Sequence, residues 1–556
     1  MLPLAASLTA LAAINTIRGR QADAAELTAA ATRLERGMDA GEAASERVRD
    51  ALAALRDAGH EAYLTDALSG LPHDLRHLVQ SSSLSLSEIA ALHIPTGATS
   101  LGDLRALLET PPAAIPPSLV ARARPAIQAL ASTRPRVPLG RAWTLIDSLA
   151  AAVRETCSDV VQVAPTGSLR RFAATVGDVE LLAASRDPAR TVARLLTLPL
   201  VSDVLHAGPS KLVVRLNRHE LTVRVVRPDA FVPMLAEATG SWDHVAALRA
   251  RARHLGLTLT ADRLAGPGGV RELQSEDELY EALDLAPIPP ELRENTGELE
   301  AAAARALPAL VRQDDIRGDL HMHSDWSDGR DAIETMVAAA EALDYEYVAL
   351  TDHSHSSAIA RGLDEDRLMR QMEAVAALRE RFPRLTILQG AEVDILPDGS
   401  LDFRDAVLER LDVVLASLHD PAGHSGRRLT DRYIAAMRHP LVQVVTHPTN
   451  RLVPGRPGYE LDEPRFFEAA VETGTLLEID GAPGHLDMDG AMARRAIAAG
   501  ATVVVDGDCH RAELLGRQMF FGVATARRGW VEARHVANTQ PLSDLRQTLQ
   551  RTRGPA

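Results

Sequence analysis

Apolar positions recur every three to four residues through the first 110 residues, as in LTAAATRLERGMDAGEAASERVRDALAALRDAG. That period predicts several short helices. The opening MLPLAASLTALAAINTIRGR is apolar and rich in small residues, as a secretory leader is. It lacks a basic start and runs straight into the helical pattern, so it reads as a first structural helix. A Pro-rich stretch from Thr110, TPPAAIPPSLVARARPAIQ, predicts a joint between helical parts. After one more helix over 140–157 the period shortens. DVVQVAP, DVELLAA, KLVVRLN and ELTVRVV are β-branched runs between turn signals and predict a small sheet. IPPELREN, further on, reads as an ordered loop.

From Arg317 the texture becomes strand-then-helix. YEYVAL, LTILQGAE, DVVLASL, VQVVT, TLLEID and TVVVDG are short and apolar, and helices such as DAIETMVAAAEAL lie between them. This alternation predicts a parallel sheet with crossover helices, closed into a barrel. No apolar run approaches the roughly 18 residues of a membrane span, and no membrane partner is expected. Solenoid repeats are absent.

With 556 residues the chain is too long for one core. A formal net charge of −15 argues against a general nucleic-acid coat protein, though not against a nuclease whose bound cations supply local positive charge. The two cysteines, Cys157 and Cys509, cannot build a disulfide framework, and a reducing cytoplasm is expected. Lys211 is the sole lysine.

Chemistry collects where the predicted strands end. GDLHMHS places His321 and His323 two apart, on one side of an extended segment, with Asp328 just beyond. YEYVALTDH ends in Asp352 and His353, and ILQGAEVD supplies Glu392. The next three strands lead to His419, to His447, and to Asp508 and His510. Active sites of parallel α/β barrels lie at these carboxyl ends. Imidazole and carboxylate together suit Zn²⁺, Mn²⁺ or Fe²⁺, and one carboxylate can bridge two ions. A lone His at a strand end is usually an ordinary core or surface residue, but the repetition at successive ends points to a metal centre. His355, His424, His439 and His485 read as solvated or supporting residues. Cys509, flanked by two candidate ligands, should point to the opposite face as a small core residue.

GDLHMHS, TDHS, GAEVDI, SLH, THPTNR and GDCH resemble the motif series of the PHP (polymerase and histidinol phosphatase) domain. Upstream, IPPELREN, TGSLRR, VGDVELL and TGSW resemble the family X DNA polymerase core, so the chain as a whole resembles bacterial PolX proteins. The resemblance implies a multidomain fold. A helical DNA-binding-like domain would occupy 1–110, fingers and an α+β nucleotidyltransferase-like palm 111–245, and a thumb-like segment with linker 246–310. An α/β PHP barrel, a distorted TIM-like barrel, would occupy 311–556. It further implies two to three divalent ions: one on His321, His323, Glu392 and Asp508, a second on Glu392, His419 and His447, and a third on Asp328, His353 and His510. The implied activity is 3′→5′ exonuclease action on DNA at 3′ ends, gapped or single-stranded. Glu392, Asp508 and His419 would act at the reacting phosphate, with Arg451 as a phosphate clamp.

The polymerase half departs from that pattern. Of the three carboxylates the family's transfer site requires, Asp178 and Glu180 fill two, so Mg²⁺ at the palm stays possible on these alone. The third position aligns with Thr222, a neutral hydroxyl, and Glu220 lies about 6.6 Å away along the strand. Polymerase activity is therefore expected to be lost. The stretches GLPHDLRHLVQ and IAALHIPTGATSLGDL lack the family's Gly-x-Gly turns. TGSLRR is retained, and Gly167, Ser168 and Arg171 could cradle a triphosphate or serve as a structural turn. Lyase chemistry on an N-terminal-domain lysine needs a primary amine that no lysine before Lys211 supplies. Three other readings stand beside the exonuclease: a working repair polymerase with proofreading, a phosphatase of a small phosphate ester, and a scaffold whose metals are structural.

Overall fold

The computed structural model describes residues 4–40, 44–82, 84–109, 111–133, 135–199, 201, 203–216 and 218–551. Thr110, the first residue of the expected Pro-rich joint, lies outside them. The chain divides into two compact units. Met1–Val137, Arg141–Arg170 and Val176–Asp284 form the first; Pro138–Gly140, Arg171–Thr175 and Leu285–Ala556 form the second. Among the described residues no helix is long and apolar enough to cross a membrane.

The first unit opens on α1 (Leu4–Ile17), the helix read from the leader-like segment. A helix apolar on all sides is stable only when surrounded. Leu8 and Leu11 enter one core with Leu27, Leu52 and Leu55, whereas Ile14 and Ile17 enter another with Leu75, Leu78 and Leu104. Further helices run to Pro117–Thr133, and the one expected over 140–157 forms over Leu139–Thr156. The sheet that follows comprises β1 (Val160–Pro165), β2 (Val179–Ser185), β3 (Asp203–Ala207), β4 (Lys211–Leu216) and β5 (His219–Val226). Its order is β1-β2-β5-β4-β3, with β2 and β5 parallel and the other pairs antiparallel. The edge strand β3, DVLHA, was not foreseen; its Asp and His mask the pattern, and pairing with β4 makes it a strand. Phe231–Thr239 packs Phe231 and Leu235 against Leu182 and Ala184.

The second unit is a seven-stranded parallel sheet in chain order: β6 (Gly318–Asp319), β7 (Tyr347–Leu350), β8 (Thr386–Asp394), β9 (Val413–Ser417), β10 (Val444–Val445), β11 (Leu476–Asp480) and β12 (Val503–Asp506). Just past the strand ends Met322 pairs with Cys509, His323 N donating to Cys509 O at 2.9 Å, which draws the two edges into a nearly closed barrel. Alternate side chains share a face. Outward positions such as Val348, Val414, Val445 and Val505 meet the helices. Inward positions change character along each strand. Ala349, Leu388, Leu415, Val444, Leu476 and Val504 form an apolar core with Leu545 and Leu549 of the helix Leu542–Arg551. One step further along the same face come Glu392, Ser417, Thr446, Glu478 and Asp506, all buried. Gly390 permits this packing, because a Cβ there would lie 2.7 Å from Thr351 Cγ2 and 2.9 Å from Val413 O.

The second unit takes in residues from Leu285, ahead of the residue 311 expected from the sequence. IPPELREN is the cause: Glu291 accepts from Arg527 Nε at 2.7 Å, and Glu294 pairs with Arg528 at 3.1 Å.

Candidate metal centre

The strand-end residues converge at the mouth of the barrel. Buried at the end of β8, the Glu392 carboxylate meets five imidazoles. Its Oε1 lies 2.8 Å from His447 Nε2 and 3.3 Å from His419 Nε2. The other oxygen, Oε2, lies 2.8 Å from His353 Nδ1 and 3.6 Å from the Nε2 atoms of both His321 and His323. Asp508 Oδ1 stands 3.1 Å from His323 Nε2 and 3.6 Å from His321 Nε2. On the other flank Asp328 Oδ1 is 3.2 Å from His510 Nε2, 3.6 Å from His353 Nε2 and 3.8 Å from His323 Nδ1. His447 and Asp508 reach inward from positive φ, 22° and 47°, strained conformations that neighbouring bonds must hold.

Neighbouring carboxylates orient these side chains. Glu478 Oε1 takes the Nδ1 side of His321 at 2.6 Å, leaving Nε2 for the centre, and Glu478 Oε2 accepts from His447 N at 2.6 Å. Asp394 Oδ1 does the same for His419 Nδ1 at 2.8 Å. Carboxylate partners of this kind fix the tautomer and basicity of a metal-binding imidazole. Both were missed in the sequence. Their signal was an acidic residue on the inward face of an otherwise apolar strand, as in TLLEID. Asp352, marked as a strand-end carboxylate, has another task. It accepts from Ser324 N at 2.9 Å, Ser327 N at 3.1 Å and Gln371 Nε2, so it braces the loop that carries Asp328.

Electrostatics and unsatisfied atoms both fit divalent cations. Against the pull of burial, the carboxylates of Glu478, Asp508 and Glu392 hold His321 well above its ordinary pKa. His419, next to Glu392 and Asp394, and His510, next to Asp508 and Asp328, are likewise raised to about 9 despite burial. Burial and the neighbouring His510 and His353 push His323 down to about 4. The ion-free chain thus balances its carboxylates with protons on imidazoles, a role a bound cation takes over. Glu392 Oε2, His323 Nδ1 and His353 Nδ1 are buried yet make no hydrogen bond, although potential partners stand close. Buried imidazole and carboxylate atoms that converge with no hydrogen bond of good geometry suit a metal ion.

Among the described residues, donor atoms gather in the sets His321, His323, Asp508; His321, Glu392, His447; His353, Glu392, His419; and His323, Asp328, His353, His510. His323 therefore also borders the set expected to be Asp328, His353 and His510 alone. His355, His424 and His439 join none of the sets. Cys509 is fully buried, its thiol pushed up to about 12 by burial. At Arg451, Nε donates to His485 O at 2.8 Å, one terminal nitrogen to Leu486 O, and the other faces Asp489. Its guanidinium pins the 485–489 loop.

Comparison with known proteins agrees with this geometry. A family model for the DNA polymerase beta thumb matches residues 234–294, and one for the PHP domain matches residues 319–445. Over 421 residues the chain is 35% identical to the DNA polymerase/3′-5′ exonuclease PolX of Bacillus subtilis (strain 168), covering 75% of this chain and 73% of that protein. The chain belongs to the PolX family. It is also 27% identical over 244 residues to a probable phosphatase of Syntrophotalea carbinolica, covering 42% of this chain and 93% of that protein. A probable phosphatase of Thermoanaerobacter sp. (strain X514) is 31% identical over 150 residues, 25% of this chain and 59% of that protein. As a PolX member the chain is an enzyme with a metal-dependent PHP domain.

The PolX palm shows what became of the other carboxylates. Glu180 and Thr222 are direct register partners on the parallel strands β2 and β5. Arg224 Nε and a terminal nitrogen bind the two oxygens of Glu180 at 2.9 and 3.1 Å, and the same guanidinium reaches Asp103 at 2.8 Å. Asp103 also pairs with Lys211, so the sole lysine is a buried structural cation. Glu220 turns away to accept from His73 N at 2.7 Å, capping the helix His73–Ser81. Gly167 and Ser168 start the four-residue helix Gly167–Arg170, where Gly167 has φ +64°. Arg171 belongs to the second unit and donates to Glu294 at 3.0 Å.

Proposed function

We propose that this PolX protein is a metal-dependent phosphodiester hydrolase that removes nucleotides from DNA 3′ ends, gapped or single-stranded, in the cytoplasm. Its palm grips or positions DNA without extending it. The observation that carries the reading is Glu392: one buried carboxylate at the junction of imidazoles from successive strand ends. Two to three ions of the Zn²⁺, Mn²⁺ or Fe²⁺ class would sit on His321, His323, Glu392 and Asp508, on Glu392, His419 and His447, and on Asp328, His353 and His510. When bound, such ions lower the pKa of an attacking water and neutralise charge on the phosphoryl transition state. The chain supplies the rest. Glu478 and Asp394 hold imidazole protons on the outer nitrogens, leaving the inner lone pairs free. Asp352 keeps the Asp328 loop closed. Ser417 Oγ donates to Glu392 Oε1 and holds that carboxylate's orientation.

Protein loaded with Mn²⁺ and given 3′-labelled DNA, 3′-labelled RNA and a chromogenic phosphate ester tests the proposal. Stepwise loss of nucleotides from the DNA 3′ end is expected. Turnover of the small ester with intact DNA would replace the exonuclease by the phosphatase reading, which the names of the shorter relatives favour.

A further inference from the structure

We infer that Asp480 and His485, together with Asp508, form a further site for a divalent cation of the Mn²⁺ or Zn²⁺ class, flanking the centre described above. One donor atom from each of the three lies within 4.8 Å of the other two. The set comes from the turn after β11, which the sequence did not mark as ligand-bearing.

Asp480 ends β11 on the inward face and is fully buried. Its Oδ1 accepts from Ala482 N at 2.5 Å, while Oδ2 has no partner. His485 stacks on the ligand His447, ring centroids 5.5 Å apart and planes at 25°, and its Nδ1 is buried without a partner. The turn is held firmly. Asp480 N donates to Asp487 O at 2.7 Å, His485 N to Ala482 O at 2.9 Å, and Arg451 grips the carbonyl of His485. Gly481 fits only as glycine, since a Cβ there would stand 2.1 Å from Gln518 O. A rigid turn thus holds a carboxylate and an imidazole, each with one buried unpaired atom, and brings a donor atom of each within 4.8 Å of one from Asp508. Two carboxylates in a space poor in water repel unless positive charge lies between them. Two oxygens and one imidazole nitrogen suit a borderline divalent ion.

The site shares Asp508 and so rests on the metal centre, but not on which phosphate ester is hydrolysed. The test is metal content of the full chain, loaded with Mn²⁺ and freed of excess by gel filtration. Asp480→Asn keeps an oxygen for Ala482 N and removes the charge; His485→Ala removes the nitrogen. Each variant should carry one ion per chain fewer than wild type. Anomalous scattering from wild-type crystals at the manganese edge should show a peak beside Asp480 and His485. That map decides the matter should a variant fail to fold. Equal ion counts in wild type and both variants, or a map with ions on the other sets only, overturns the site. An extra ion in a protein without DNA hydrolysis supports the site and removes the exonuclease reading instead.

Discussion

The guanidinium of Arg224 spans both carboxylate oxygens of Glu180, at 2.9 and 3.1 Å. A carboxylate whose two oxygens are both engaged by one guanidinium is already charge-neutralised, and Asp103 anchors the same arginine from a helix. In the palm Glu180 and Asp103 thus share one arginine in an internal ion-pair network. Primer extension with Mg²⁺ and all four nucleotides should be undetectable. Thr222→Asp alone should not restore it, because Arg224 still occupies Glu180. Robust extension by wild type, abolished in Asp178→Ala, would show the palm to be working.

Loss of Glu392 should cost more than loss of any ligand that serves one set. Glu392→Gln keeps the shape and removes the charge, so we expect it to release two ions and lower DNA hydrolysis by at least about 10³-fold. His447→Ala should keep the ion on His321 and His323. Elemental analysis beside a single-turnover assay reads both effects; full metal content with wild-type turnover in Glu392→Gln refutes the bridging role.

Glu478 is fully buried and acts through His321 and His447. Glu478→Gln should weaken metal affinity or hydrolysis by about 10–100-fold, the usual effect of losing an orienting carboxylate. Saturating Mn²⁺ should recover part of the rate. An unchanged metal-binding isotherm would mean that Glu478 serves packing alone.

Metal binding should release protons. His419 and His510 are raised to about 9, so both are protonated at neutral pH in the ion-free chain, whereas a ligand must be neutral. Apparent affinity should therefore rise with pH until about 9. Titration calorimetry in buffers of different ionisation heat measures the protons released; no buffer dependence would contradict the shifts.

In the first unit His206 predicts acid weakness. Its Nδ1 donates to Ile17 O at 2.6 Å, joining the end of α1 to β3. Burial, with His93 and Lys211 nearby, lowers it to about 4, against the opposing pull of the Ile17 carbonyl and Asp103. Above pH 6.5 folded and unfolded states are both neutral here. As pH falls from 6.5 towards 4 only the unfolded state takes the proton, which removes up to about 3 kcal/mol of stability. Amide protection in α1, taken relative to the intrinsic exchange rate at each pH, should fall across that window and do so less in His206→Asn. An equal fall in protection in both proteins would assign the effect elsewhere.

Period and strand-end chemistry were enough to read the barrel, its parallel strands and the His, Asp and Glu side chains that gather at its mouth, because each strand carries its own alternation and its own terminal residue. The neutral Thr222 was legible too, since one side chain decides whether a carboxylate is present. What the chain could not announce were relations between residues far apart in sequence. Arg224 on Glu180, Glu478 behind His321, Asp352 bracing a loop and Arg451 spent on carbonyls all depend on which strands lie side by side. Hydrogen bonds and ion pairs act over a few ångströms, so their partners are chosen only once the barrel and the palm have closed.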